Sequence, residues 1–315
     1  MINLKPFTLF ILSVIITACA TSRPVILSEQ HQLDMEIRLR GTLELANNKI
    51  NGLKLTELSG LAWDEDEGLL YAVSDKGYLF HLRPGITQNT LTNIIPLSAY
   101  RLQTKQSKDS EGLAILNGNN GVTGDSELVI SFEGKPLIAR FTPKGKLLGD
   151  YTLPTVLQNI KNYYEPNKAL EAVTVHPRLG ILTASEWPLK RKNTVDSLNG
   201  QHKHTLYALD NKQWTFPAYP APNSAVVALE ALEDGSVLVL ERAYSSIFRP
   251  VVISLQRLWL SGNQRKFSQL AVFDRWQIDN FEGFTHHRGD YFFMVSDDND
   301  SSLQRTLLSY WELVI

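Results

Sequence analysis

The sequence predicts an all-β fold, a β-propeller of five blades closed by a strand from the far end of the chain. Three observations carry this prediction. One plan recurs five times, short apolar runs alternate with turn residues, and continuous helical periodicity is nearly absent.

The repeat consists of an acid, a small residue, an apolar run, a turn, a second apolar run and another acid. Its five copies are "ELSGLAWDEDEGLLYAVSD" from Glu57, "EGLAILNGNNGVTGDSELVISFE" from Glu111, "EAVTVHPRLGILTASE" from Glu171, "EALEDGSVLVLER" from Glu230 and "EGFTHHRGDYFFMVSDD" from Glu282. Two weaker strand candidates follow each copy, such as "PLIARFTP" with "LLGDYTLP", and "HTLYALD" with "QWTFPAY". The last copy is followed by one long run only, "SLQRTLLSYWELV". "MEIRLRGTLEL", Met35 to Leu45, supplies the missing strand; pairing it there closes the ring and removes two sheet edges. Six blades is the alternative count, with a degenerate blade among residues 86–106 or 187–225. Pro154 to Tyr164 is the one segment expected to hold a short helix.

Composition narrows the class. The chain has 315 residues, 43% of them hydrophobic, and a net charge of −2, so a large core is affordable and no nucleic-acid partner is indicated. At the N-terminus, Lys5 precedes the apolar run "PFTLFILSVII", which is too short to span a bilayer. "ITAC", ending at Cys19, resembles a bacterial lipobox, which implies cleavage before Cys19 and lipid on its thiol; ordinary secretory cleavage near Ala20 is the alternative. The expected organisation is a leader over residues 1–18, a tether over 19–34 and one propeller domain over 35–315. The expected place is the cell envelope, anchored in the outer membrane and facing the periplasm, as a monomer. Cys19 is the sole cysteine, which excludes internal disulfides.

Propeller geometry places the first residue of each inner strand beside the last residue of the second strand, at the upper mouth of the central channel. Glu57, Glu111, Glu171, Glu230 and Glu282 are thereby expected to ring that mouth, with Asp75, Glu133, Glu186, Glu241 and Asp297 just outside them. Because Ser59-Gly60 follows Glu57, Ser59 is the alternative occupant of the first blade's ring position. So many carboxylates repel one another in a partly desolvated funnel unless a cation sits among them. A hard divalent ion with oxygen ligands fits, and Ca²⁺ fits better than Zn²⁺ because no Cys–His set exists. The expected metal ligands are Glu57, Glu111, Glu171, Glu230, Glu282, Asp75 and Asp297. The competing account makes these acids hydrogen-bonded braces between blades.

"ELSGLAWDEDEGLLYAVSDKG", "DSEGLAI", "LVLERAY" and "NFEGFTHHRGDYFFMVSDDN" together resemble the phytase-like family, known for an esterase-like activity of phytase. The resemblance spans residues 57–299 and implies a secreted or envelope β-propeller with phosphoesterase or esterase activity. The glutamate-led five-unit pattern is more distantly similar to calcium-activated nucleotidases.

Catalysis of that kind needs a cation that polarises a phosphoryl or acyl oxygen and a basic side chain that holds the anion. Glu111, Glu171, Glu230 and Glu282 are the expected ligands or water-positioning bases, and Arg242 the clamp on a small anionic or ester substrate. Lys76 and the basic run Lys190, Arg191 and Lys192 are further cation candidates. "SDDND", Ser296 to Asp300, lacks the glycine and distant Glu of an EF-hand, leaving a local oxygen cage or a plain turn. "DEDEG" is expected to be a solvated lower turn, and His176, His286 and His287 to lie at lower turns in structural roles. No G-x-S-x-G elbow occurs, so a serine triad is disfavoured. A hydrolase and a non-catalytic binding propeller both remain open at this point.

Overall fold

A computed structural model describes residues 22–25, 27, 35–104, 108–190, 202–246, 249–260, 266–274, 279–301 and 304–314. The leader, Cys19, Arg191 and Lys192 lie outside the described residues. Among the described residues no helix is long and apolar enough to cross a membrane.

Five antiparallel sheets form the five blades of a propeller. The first four each take four consecutive strands. They are Leu58–Asp64, Leu69–Ser74, Tyr78–Thr87 and Thr90–Arg101; then Ser110–Leu116, Glu127–Phe132, Leu137–Phe141 and Leu147–Asp150. The third blade holds Leu170–His176, Gly180–Ser185, Lys203–Ala208 and Gln213–Pro217, and the fourth Ser224–Ala231, Ser236–Ala243, Val252–Trp259 and Lys266–Phe273. The fifth blade joins Phe281–Arg288, Tyr291–Ser296 and Leu307–Leu313 to the N-terminal strand Ile37–Leu45. Five blades and closure by the N-terminal strand are as expected. The segments suspected of hiding a sixth blade supply outer strands of the first and third instead. Ser22–Pro24, expected within the tether, adds a further strand on the fifth blade by pairing with Leu43–Leu45. The Pro154–Tyr164 segment holds one helical turn, Thr155–Gln158, and a 3₁₀ turn, Ile160–Asn162.

Second strands such as "LLYAVS", "ELVISF" and "YFFMVS" are apolar on both faces because each blade packs against a neighbour on either side. Leu61, Phe80, Phe293, Val295 and Tyr310 thus fill the seam between the first and fifth blades.

The inner strands carry the feature that builds the site. Each contains a register shift against its second strand, at Leu58/Gly60, Ile130/Phe132, Leu170/Ala172, Val226/Ala228 and Phe281/Gly283. A bulge re-aims the unpaired residue. The residues at this point are Ser59, Glu111, Glu171, Val227 and Glu282. Each is followed by Gly60, Gly112, Ala172, Ala228 or Gly283, where the inner strands come closest. A Cβ at Gly60 would stand 2.4 Å from the Glu111 carbonyl oxygen, and one at Gly112 2.6 Å from the Val173 nitrogen.

Candidate metal and substrate site

The bulges turn Ser59, Glu111, Glu171 and Glu282 toward the upper mouth. The second-strand ends bring Asp75, Glu133, Glu186 and Asp297 beside them, and in the fourth blade the matching residue is Arg242. Seven carboxyl groups, on Asp75, Glu111, Glu133, Glu171, Glu186, Glu282 and Asp297, therefore share the mouth with two cations, Arg242 and Lys168. Most of the acids are deeply buried, with Glu111 8% exposed, Glu171 6%, Glu186 3% and Asp297 4%.

The cations serve one side of the mouth. Arg242 pairs with Glu282 of the fifth blade through Nη1 and with Glu186 of the third through Nη2 at 3.2 Å. Its Nη1 also donates to Asn280 Oδ1 at 3.1 Å, and Asn280 Nδ2 donates to Glu282 Oε1 at 2.8 Å. Lys168 Nζ lies 2.8 Å from Glu186 Oε2. Among the described residues the other acids of the mouth have no ion pair. Burial, then the carboxylates of Glu282 and Glu57, push Asp75 up to about 7. Burial and Glu282 push Asp297 up to about 8, and burial pushes Glu133 up to about 7. Glu111 and Glu171 are held well above the usual carboxylate range, by burial first and then by neighbouring acids.

One oxygen from each of Glu133, Glu171 and Glu186 lies within 4.8 Å of the others. Three oxygens bound to one ion at 2.3–2.6 Å fall within such a span, as Ca²⁺ requires. Glu133 Oε1 is buried with no hydrogen-bond partner, so the trio has a free acceptor as well as an all-oxygen donor set. The residues present fit a hard divalent cation.

Beside the trio opens a cavity of about 550 Å³, within the range of small-ligand pockets. Glu186 lines both. Lys168 and Arg242 form its cationic wall, while Trp187 and Tyr244 give it an aromatic rim.

Several expected positions are corrected. Glu230 is not at the upper mouth: it pairs with Leu238 near the far end of its strand and lines a cavity at the lower end of the channel. Val227 occupies the ring position of the fourth blade. Glu241 is also absent from the mouth. It is buried in the blade and accepts from Tyr219 N, Ser224 Oγ, Ser254 Oγ and Gln256 Nε2. Glu57 precedes the bulge in left-handed backbone (φ 52°) and pairs with Lys76 at the rim, so Ser59 holds the first blade's ring position. Lys76 is committed there to Glu57 and Asp300.

Ser59 Oγ donates to Ser110 O and Ser185 Oγ to Trp187 O, which leaves neither poised as a nucleophile. Within "SDDND", Asp298 accepts from Thr56 Oγ1, Glu57 N and Thr306 Oγ1, and Asp300 pairs with Lys54 and Lys76; only Asp297 faces the mouth. "DEDEG" is a lower turn with Glu65 exposed, as expected, but two of its acids also act as braces. Asp64 is buried and accepts from Ser126 Oγ at 2.6 Å, and Asp66 accepts from Asn120 N and Gly121 N. His176, His286 and His287 do lie at the lower end, bound to Gly235 O, Gly289 O and Tyr310 Oη.

Lys168 and Asn280 had no signal in the repeat. The fourth-blade error did have one. Ring and second-strand positions lie fifteen apart in the last three blades, at 171 and 186, 227 and 242, and 282 and 297. Glu230 and Glu241 are too close together to fit.

The family described as Phytase-like, esterase-like activity of phytase, matches residues 54–300. The chain belongs to this family. That span takes in all of the mouth's acids, both its cations and every inner strand. Among curated proteins no match was found. The chain is thus a phytase-like, esterase-type propeller, and the five-bladed ring expected from its sequence is the fold that the family match accompanies.

Proposed function

We propose that this phytase-like propeller is a metal-assisted hydrolase of phosphoesters or related esters, acting at the upper mouth with Ca²⁺ as the best-fitting ion. The observation that carries the reading is the converging trio Glu133, Glu171 and Glu186, of which Glu133 and Glu171 have no ion pair among the described residues, at the edge of a cavity walled by Lys168 and Arg242. Glu133, Glu171 and Glu186 would hold the cation, which when bound supplies a Lewis acid for the substrate oxygen. Lys168 and Arg242 face the cavity and would orient the anionic group by charge-assisted hydrogen bonds. Glu111 and Glu282 border the trio and would position water, while Asp75 and Asp297 complete the acidic wall. Glu57 and Glu230 take no part. Among the described residues the mouth has two cationic side chains, both already paired with acids, which suits a substrate bearing one anionic group better than a highly charged polyanion.

A second reading, a non-catalytic binding propeller, draws on Arg242. By joining Glu186 and Glu282 it ties three blades together, which is what a brace would do. That brace accounts for Glu186 and Glu282 and leaves Glu133, Glu171 and Glu111 without a purpose.

The test is turnover of p-nitrophenyl phosphate and p-nitrophenyl acetate by the mature chain, with calcium or with chelator. Calcium-dependent turnover lost in Glu171→Gln supports the hydrolase. Calcium-dependent stabilisation without turnover of either substrate supports the binding propeller. Envelope anchoring through a lipid on Cys19 belongs to the same proposal and rests on the lipobox-like sequence; labelling with a tagged fatty acid that persists in Cys19→Ser would contradict it.

A further inference from the structure

The lower end of the channel holds a second cavity, of about 460 Å³, lined by the inner strands and the loop at 117–120. Every inner strand contributes to its lining, among them Ala62, Ala114, Thr174, Glu230 and Thr285. Four of these are small and neutral, and the fifth is a carboxylate. No Lys or Arg is among its lining residues. Burial pushes Glu230 up to about 8, against a hydrogen bond from the backbone N–H of His286; among the described residues it has no ion pair, so a cation bound beside it would favour its charged form.

The neighbouring groups sort the ligands that fit. The indole of Trp63 and the amides of Asn117 and Asn120 are spent as donors within the protein. Trp63 Nε1 donates to Glu65 Oε2 at 2.7 Å, Asn117 Nδ2 to Asp125 O, and Asn120 Nδ2 to Asp125 Oδ2. What remains includes acceptor capacity on Glu230 and Glu65 and the aromatic surface of Trp63, so an anion meets two carboxyl groups and no basic side chain. A divalent metal wants several converging oxygens. Here the lining offers two carboxyl groups, Glu230 and Glu65, the second bound to Trp63, and among the described residues three acids converge only at the upper mouth. An alkylated ammonium needs one carboxylate, an aromatic wall and little else.

We propose that the lower mouth binds a small organic ammonium ion, with Glu230 as counter-ion and Trp63 as the aromatic wall. The site lies at the opposite end of the channel from the acidic trio, so it stands or falls independently of the hydrolase reading.

The test uses choline chloride and putrescine as probes on the mature chain, with glucose and calcium chloride as controls, read by calorimetry and by Trp fluorescence. The expected result is saturable binding of at least one amine, weakened about tenfold or more in Glu230→Gln. Trp63→Phe keeps an aromatic ring and should weaken it less than Trp63→Leu, while Glu171→Gln leaves it unchanged. Glu230→Gln replaces the carboxyl by a group of nearly equal shape, and its fold is checked by an unaltered melting transition at acid pH. Absence of saturable amine binding, binding indifferent to Glu230→Gln, or equal binding of glucose or calcium through Glu230 would overturn the proposal.

Discussion

Arg242 of the fourth blade is ion-paired with Glu282 of the fifth, in a mouth where every other second-strand position is an acid. Both side chains are largely shielded from solvent, at 19% and 8% exposure. Removing one partner of such a pair leaves a charge buried without compensation, which costs more than the pair itself contributes. Arg242→Ala should therefore destabilise the domain by about 3 kcal/mol in urea denaturation without added metal. Arg242→Ala combined with Glu282→Gln should recover part of that loss.

Glu171→Gln should do the reverse. Glu133 and Glu171 converge in the trio, where burial disfavours both as anions and neighbouring acids hold Glu171 higher still. An amide relieves this repulsion. In chelator at neutral pH the variant should melt at the same temperature as the wild type or higher, and in calcium it should lose the stabilisation that the wild type gains. A variant that melts lower in chelator would count against repulsion as the dominant effect.

Lys168 reaches Glu186 from the cavity wall and is not part of an inner strand. If it holds the substrate's anionic group, Lys168→Ala should raise KM for p-nitrophenyl phosphate more than it lowers kcat. Loss confined to kcat would assign it a role in the reacting centre instead.

The acid side of the stability profile should carry a signature of His287. Burial, then the charge of Arg288, lowers its pKa from 6.5 to about 4, and its Nδ1 is bound to Tyr310 Oη at 2.7 Å. The unfolded chain binds the proton more readily than the folded one, so stability rises with pH across this window. His287 contributes no penalty above about pH 6.5, and the penalty grows as pH falls toward 4, reaching at most about 3 kcal/mol. Urea midpoints between pH 4 and 7 should fall less steeply in His287→Gln than in the wild type.

Blade number, ring closure and the lower placement of the histidines were legible because turn residues and two-sided apolar runs recur with the fold's own period. The fourth blade shows why the site was less so. Its "EAL" at 230–232 imitates the acid-small-apolar start of the other repeats, yet the start lies at Val227-Ala228. The feature that packing enforces is the small residue after the bulge, since a Cβ at Gly60 or Gly112 would meet backbone of the next inner strand. The acid is dictated by chemistry, not by packing, and this blade omits it. Arg242 keeps its place in register, and the substitution of a cation for an acid there gives the mouth its asymmetry. Lys168 enters from the loop before the third inner strand, where no repeat fixes a position.

The central claim is that Glu133, Glu171 and Glu186 form one divalent-cation site. Calcium titration calorimetry on the chelator-treated domain tests it most directly, with wild type, Glu171→Gln and Glu230→Gln compared. The wild type should bind calcium saturably, with binding retained in Glu230→Gln and lost in Glu171→Gln. Calcium binding that survives Glu171→Gln, or no calcium binding by the wild type, would contradict the claim.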